Sequence, residues 1–250
     1  MLGRILSIYL LIVIGISFPF FYLGALIIWF FTFLIDRHLQ LLHYYTCFWA
    51  SFYTWIMPTW IISTEGREKC RPNVTYMIIS NHQSQLDILV HFRLFLYYKI
   101  VSKSEMFRVP FMGWNMSLNR YIKLIRGDKN GVKKMMAESE KTLTAGESVF
   151  IYPEGTRSPD SEIKDFKPGA FLLAKSAKVP ILPIVLNGTG RALPKWKMKT
   201  SGLHRIRVKV LDEIPYARFA DLSLEETIKF VRGLMIDELA KLKKEMSYVG

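Results

Sequence analysis

Cysteine is almost missing from this 250-residue chain: Cys47 and Cys70 are the whole complement, without a Cys-x-x-Cys spacing. Neither a disulfide framework nor a structural zinc site is indicated, and a reducing, cytosolic setting is the simplest reading. Acidic residues are also short, 21 Asp plus Glu against 34 Lys plus Arg, for a net charge of +13. Charge of either sign is nearly absent from the first quarter, where residues 1–61 carry only Arg4, Asp36 and Arg37. The basic excess therefore sits on residues 62–250, where it suits nucleic acid, an anionic membrane or an acidic substrate. The chain has no internal repeat.

What fills the first quarter is apolar. Residues 5–35 form an uncharged run of 31, longer than the roughly 7–15 residues of a signal-peptide core, and no small-residue cleavage site follows it. A spanning helix takes about 20 residues, so the run exceeds one span and falls short of two. Pro19 leaves two geometries open: one tilted span, or a helical pair broken near Ser17-Phe18-Pro19 that enters and leaves the same face. A second uncharged stretch, residues 39–62, is aromatic and suits an interfacial helix or a return pass. A buried soluble helix is the alternative for both. Composition turns mixed after Ile62, which divides the chain into a helical membrane anchor over 1–62 and a second domain over 63–250.

In that second domain, short β-rich runs at Thr75–Ser80, Tyr97–Val101, Tyr121–Ile125, Ser148–Tyr152, Ile181–Leu186 and Arg205–Leu211 alternate with helical patterns. The helices are expected at Ser84–Phe95, Pro110–Leu118, Lys129–Leu143, Pro168–Ala177 and Leu224–Lys244. The alternation predicts an α/β fold, a central sheet layered with helices behind the N-terminal anchor. A loop is expected near Pro194–Gly202.

Two constellations could carry chemistry. The first, Asn81-His82-Gln83-Ser84-Gln85-Leu86-Asp87, follows an expected strand and enters a helix, a common place for sites in α/β folds. With His82 just before the helix and Asp87 in its first turns, the carboxylate can hold one imidazole nitrogen protonated and leave the other as a base. No serine or cysteine nucleophile is needed if a substrate brings its own hydroxyl. A capping Asp beside a satisfied surface His gives the same spacing. The second, Ile151-Tyr152-Pro153-Glu154-Gly155-Thr156-Arg157-Ser158, combines a glycine for close backbone approach with the Arg157 fork and the hydroxyls of Thr156 and Ser158. It fits a phosphate cradle or an ordinary turn.

Asn-His-Gln-Ser-x-x-Asp followed 72 positions later by Pro-Glu-Gly-Thr-Arg-Ser resembles the glycerolipid acyltransferase family, and within it the 1-acylglycerol-3-phosphate acyltransferases. Two further blocks of that family are matched in order by Tyr121-Ile122-Lys123-Leu124-Ile125-Arg126 and Val179-Pro180-Ile181-Leu182-Pro183-Ile184. Val101-Ser102-Lys103-Ser104-Glu105-Met106 is similar to its Ala-Lys-x-Glu-Leu stretch, with Ser and Met replacing Ala and Leu. Ile125 stands where an acidic residue often precedes the arginine. The similarity runs from about residue 64 to 190.

The resemblance implies that His82 is a general base acting on the free hydroxyl of lysophosphatidic acid, with Asp87 orienting it. Lys103, Arg126 and Arg157 are implied to bind the acceptor phosphate, Glu154, Gly155 and Thr156 to complete the acceptor site, and acyl-CoA or acyl carrier protein to bring the thioester. It implies neither cofactor nor metal. The other histidines, His38, His43, His91 and His204, have no matching partners in the sequence and are read as structural or interfacial. A basic tract, Arg191 to Lys199 with Trp196, then His204, Arg205, Arg207 and Lys209, could take single-stranded nucleic acid by charge and stacking. Behind a membrane anchor, docking on anionic phospholipids is preferred and no nucleic-acid partner is expected. The sequons at Asn73 and Asn187 are expected to stay unmodified on a cytosolic domain. Remaining alternatives are another lysophospholipid or glycerol 3-phosphate as acceptor, and a non-catalytic anionic-lipid-binding protein.

Overall fold

The structure is a computed structural model and describes residues 2–194 and 202–247. The N-terminal run is one unbroken helix, α1 (Leu2–Thr32), so the broken pair considered at Pro19 does not form. Phe18 and Phe21 flank that proline and both pack on Trp49, the second stacked at 5.5 Å, which holds the two halves of the helix in line. Trp49 belongs to α2 (Gln40–Trp55). The connecting turn is fixed by Asp36, whose carboxylate accepts the Leu41 N–H at 2.8 Å. The chain then runs back antiparallel along α1, with Ser17 and Tyr53 sharing a hydrogen bond at 2.7 Å.

One face of α1 is partly buried between Leu6 and Trp29. Leu6 and Leu10 lie against the core of the α/β domain, and Ile28 and Trp29 pack with Leu39 and Leu42. The opposite face exposes Ile5, Ile8, Ile12, Ile16, Phe20, Leu23, Ile27 and Phe30. Steps of three and four residues make this a single apolar stripe.

The domain is built on one seven-stranded sheet comprising β1 (Trp60–Glu65), β2 (Met77–Ser80), β3 (Lys99–Lys103), β4 (Ile122–Leu124), β5 (Val149–Ile151), β6 (Ile181–Asn187) and β7 (His204–Val210). Their order across it is β1-β7-β6-β2-β5-β3-β4. The strands from β6 to β4 run parallel. β7 is antiparallel to β6, and β1 is parallel to β7. Every residue of β2, and Ile181 to Leu186 of β6, is buried, as parallel strands covered on both faces require.

The covering helices are α3 (Leu86–Phe92), α4 (Met112–Leu118), α5 (Lys129–Thr144), α6 (Gly169–Ser176), the short α7 (Thr189–Ala192) and α8 (Leu224–Ser247). Leu86 and Val90 of α3 share one core layer with Ile78, Phe150 and Leu182. Phe171 of α6 and Val231 and Met235 of α8 share the other with Met77, Ile79 and Ile181. The α/β architecture expected from the alternating pattern is the one observed. Strand β1 was not anticipated: its residues close the aromatic stretch after α2, and it crosses residue 62. The loop expected at Pro194–Gly202 lies mostly outside the described residues, as do Lys195, Trp196, Lys197 and Lys199 of the basic tract.

Candidate functional site

The candidate residues collect at the carboxyl ends of four adjacent parallel strands. His82 follows β2, Glu154 to Arg157 follow β5, Lys103 ends β3, and Arg126 follows β4. Neighbouring strands are about 4.8 Å apart, so the row from β2 to β4 spans about 14 Å before side chains reach inward. Strand carboxyl ends are where open α/β sheets bind ligands, because no helix covers them there.

His82 is fixed by the polar run around it. Asn81 continues the β2–β6 pairing with its side chain: Nδ2 donates to the Leu186 carbonyl and Oδ1 accepts the Leu186 N–H, both at 2.9 Å. The Ser84 hydroxyl donates to the Leu193 carbonyl at 2.6 Å and accepts the Leu86 N–H. Asp87, in the first turn of α3, folds back over this loop. Its Oδ2 accepts from His82 Nδ1 at 2.7 Å, from the Gln83 N–H at 2.6 Å and from the Ser84 N–H at 2.9 Å. The Asp87 side chain is fully buried and that of His82 is 13% exposed. Asp87 is thus the imidazole's partner and also gathers the N–H groups of the loop before α3; it does not cap the helix, whose N-cap position is held by Gln85 without a side-chain bond. Because a carboxylate only accepts, Nδ1 carries the proton, and Nε2 keeps its lone pair.

Three further groups brace the ring, the backbone and the partners of His82. The Tyr152 ring stacks on it, centroids 4.1 Å apart and planes 20° from parallel. His91, read from the sequence as structural or interfacial, is buried with three partners: Nδ1 lies 2.6 Å from the Asp87 carbonyl and 3.1 Å from Tyr152 Oη, and Nε2 lies 2.9 Å from Ser80 Oγ. Burial lowers its pKa to about 4, so it is neutral. Glu154 is buried; one oxygen accepts the His82 N–H at 2.8 Å and the other the Lys164 N–H at 3.2 Å. Burial raises its pKa against the opposing pull of those bonds. Both oxygens are bonded to backbone, so whatever part it has in the acceptor site is to shape it from beneath.

Gly155 adopts φ +68° and donates its N–H to the Tyr152 carbonyl, closing a tight turn. Ser158 N–H then donates to the His82 carbonyl at 2.7 Å, which clamps the second motif to the first. Thr156 and Arg157 are partly exposed beyond that clamp. The pKa of Arg126 is lowered, first by burial and further by the like charge of Arg157, with Glu105 opposing. The Arg157 charge is thus close enough to be felt at Arg126. The Asp128 oxygens, two residues on, cap α5 through the N–H groups of Asn130 and Gly131. Lys103 stands exposed at the end of β3. Among the described residues, no three His, Cys, Asp or Glu side chains cluster to hold a metal ion, and both cysteines are free thiols.

Sequence reasoning picked out the dyad and the cations but missed Asn81, Ser84, Tyr152 and His91 as supports. The polar run directly after an apolar strand was the available signal for the first two. Tyr152 and His91 are brought to His82 only by the packing of β5 and α3.

The family described as Acyltransferase matches residues 61–187. A chloroplastic 1-acyl-sn-glycerol-3-phosphate acyltransferase of Arabidopsis thaliana is 36% identical over 194 residues, covering 77% of this chain and 54% of that protein. A 1-acyl-sn-glycerol-3-phosphate acyltransferase of Saccharomyces cerevisiae is 33% identical over 178 residues, covering 69% and 57%. The chain thus spans little more than half the length of these curated relatives. The crystal structure of the lysophosphatidic acid acyltransferase PlsC from Thermotoga maritima superposes with a TM-score of 0.79 at 22% identity, covering 96% of each chain, a likeness of fold.

Proposed function

The chain belongs to the acyltransferase family, and from that premise we propose that it moves a fatty acyl group from an acyl thioester to the sn-2 hydroxyl of lysophosphatidic acid, forming phosphatidic acid for phospholipid biosynthesis. The observation that carries this reading is His82 with Nδ1 tied to a buried Asp87 and Nε2 unbonded among the described residues. It sits on the same sheet edge as Arg126 and Arg157.

In this reading Nε2 of His82 takes the proton of the acceptor hydroxyl as its oxygen attacks the thioester carbonyl. Asp87 stabilises the imidazolium that results. The tetrahedral intermediate then expels the thiolate, which receives the proton from His82, so no acyl-enzyme forms. Arg126, Arg157 and Lys103 hold the acceptor phosphate, with Thr156 and the Gly155 turn beside them. A phosphate dianion offsets the like charges of Arg126 and Arg157 and can give a guanidinium a bidentate partner. The names of the relatives support lysophosphatidic acid as the acceptor.

The membrane anchor is α1 with α2, and the catalytic domain, on the cytosolic face, begins at β1, so that the boundary expected at residue 62 moves back to the start of that strand. The apolar stripe of α1 supports insertion into one leaflet: a helix packed along the domain on one side can bury the other in lipid without crossing. A two-chain product cannot leave for water, so a site held at the interface lets acceptor and product move laterally. The test is purified protein in detergent, given lysophosphatidic acid, glycerol 3-phosphate and lysophosphatidylcholine in competition, with acyl-CoA or acyl carrier protein thioester, and products identified by mass. Phosphatidic acid is the expected product; acylation of glycerol 3-phosphate alone, or of nothing, overturns the proposal.

A further inference from the structure

The imidazole of His82 has an aromatic ring on one face, and that ring is itself tied to the residue that organises the loop. The stacking is close and nearly parallel, 4.1 Å and 20°, so the negative face of the phenol π-system lies against the imidazole. A neutral imidazole gains dispersion from this contact. An imidazolium gains more, because the ring quadrupole attracts a cation.

His91 connects the same parts. The Asp87 carbonyl can only accept, so at 2.6 Å the His91 Nδ1 must carry the hydrogen. That hydrogen also points toward Tyr152 Oη at 3.1 Å. Nε2 is then the acceptor for the Ser80 hydroxyl at 2.9 Å. One neutral, fully buried ring thereby joins the last residue of β2, two before His82, to the backbone of Asp87 and to the tip of Tyr152.

We propose that Tyr152 and His91 are positioning residues for the His82–Asp87 dyad: the Tyr152 ring orients the imidazole and favours its protonated form, and His91 pins together the three segments that carry His82, Asp87 and Tyr152. This rests on the reading of His82 as the general base. In the ground state the stack holds the ring in the plane that Asp87 requires. As the acceptor hydroxyl gives up its proton, the positive charge appears against the π-face, where it is stabilised just when the barrier is crossed.

The experiment replaces Tyr152 with phenylalanine and with mono-, di- and trifluorinated phenylalanines in the full chain, in detergent. Each fluorine withdraws density from the ring face while leaving its shape nearly unchanged. The groups facing His82 are Asp87 from α3, Glu154 and Tyr152 from the segment after β5, and His91 behind them; fluorination alters only the ring. Relative to Tyr152→Phe, kcat is expected to fall stepwise to about one third in the trifluoro variant, with acceptor KM nearly unchanged. The acid limb of the pH–rate profile moves down by about half a unit. A flat series, or losses carried by KM, overturns the role of the ring. An NMR titration of His82 in the same variants reads the pair without turnover. A midpoint that does not move with fluorination overturns the inference even if no acyl transfer is found; an inactive natural chain with a moving midpoint indicts the reaction assignment instead. For His91, Asn places a donor where Nδ1 stood, so H91N is expected to keep kcat within about fivefold while H91L loses well over tenfold at unchanged KM. Equal losses in the two variants overturn the pinning role.

Discussion

Glu154 and His82 are joined through the backbone: one carboxylate oxygen accepts the His82 N–H at 2.8 Å, while the other accepts the Lys164 N–H at 3.2 Å. The acidic residue of the second motif thus holds the base of the first in place. In E154Q an amide NH2 must face one of those N–H donors, leaving a buried donor unpaired at a cost of about 1–3 kcal/mol. Turnover is expected to fall about tenfold to a hundredfold through misplacement of His82, with acceptor KM nearly unchanged. A KM rise at constant kcat would restore Glu154 to the substrate contacts.

Arg157→Lys keeps the charge and loses the fork. Acceptor KM is expected to rise about tenfold, as the loss of one bidentate partner implies, with donor KM unaffected. Steady-state kinetics with lysophosphatidic acid varied at saturating thioester checks it; an unchanged acceptor KM would remove Arg157 from the phosphate site.

His91 makes a pH prediction of known sign. Burial holds its pKa at about 4, whereas an unfolded histidine titrates near 6.5. Between those values the unfolded chain binds a proton that the folded chain does not, so stability is lost as pH falls from 6.5 toward 4, by up to about 3 kcal/mol. Thermal unfolding at pH 7, 5.5 and 4.5 is expected to show a steeper acid-side fall in Tm for the natural protein than for H91N. Parallel curves would mean that His91 does not stay neutral.

Replacing Ile12, Ile16, Phe20 and Leu23 with serine strips the exposed stripe of α1 without touching its packed face. Each of these side chains is worth about 1.5–3 kcal/mol when fully buried in an apolar phase. Vesicle binding is expected to fall more than about a hundredfold, with turnover of a short-chain, water-dispersed lysolipid preserved. Retained vesicle binding would move the membrane contact elsewhere.

Much of this fold was legible because its periodicities are clean: the apolar run of β6 and the helical spacing of α5 and α8 are where the sequence puts them. β1 was not, since Trp60 to Ile62 continue an aromatic stretch and only the pairing with β7 makes them a strand. At the site, His82, Asp87 and the cations Lys103, Arg126 and Arg157 were readable as motifs with fixed spacing. Tyr152 and His91 were not, because their relation to His82 spans 70 and 9 residues of chain and exists only once β5 and α3 pack beside β2. Glu154 was readable as part of a motif, yet its partners, two backbone N–H groups, leave no trace in side-chain chemistry.

The proposal stands most directly on the turnover of His82→Ala, measured as phosphatidic acid formed from lysophosphatidic acid and an acyl thioester by purified protein. Turnover is expected to fall about a hundredfold to ten-thousandfold, the usual contribution of a general base, while lysolipid binding is retained. Full turnover in that variant would contradict the assignment of His82 as the base.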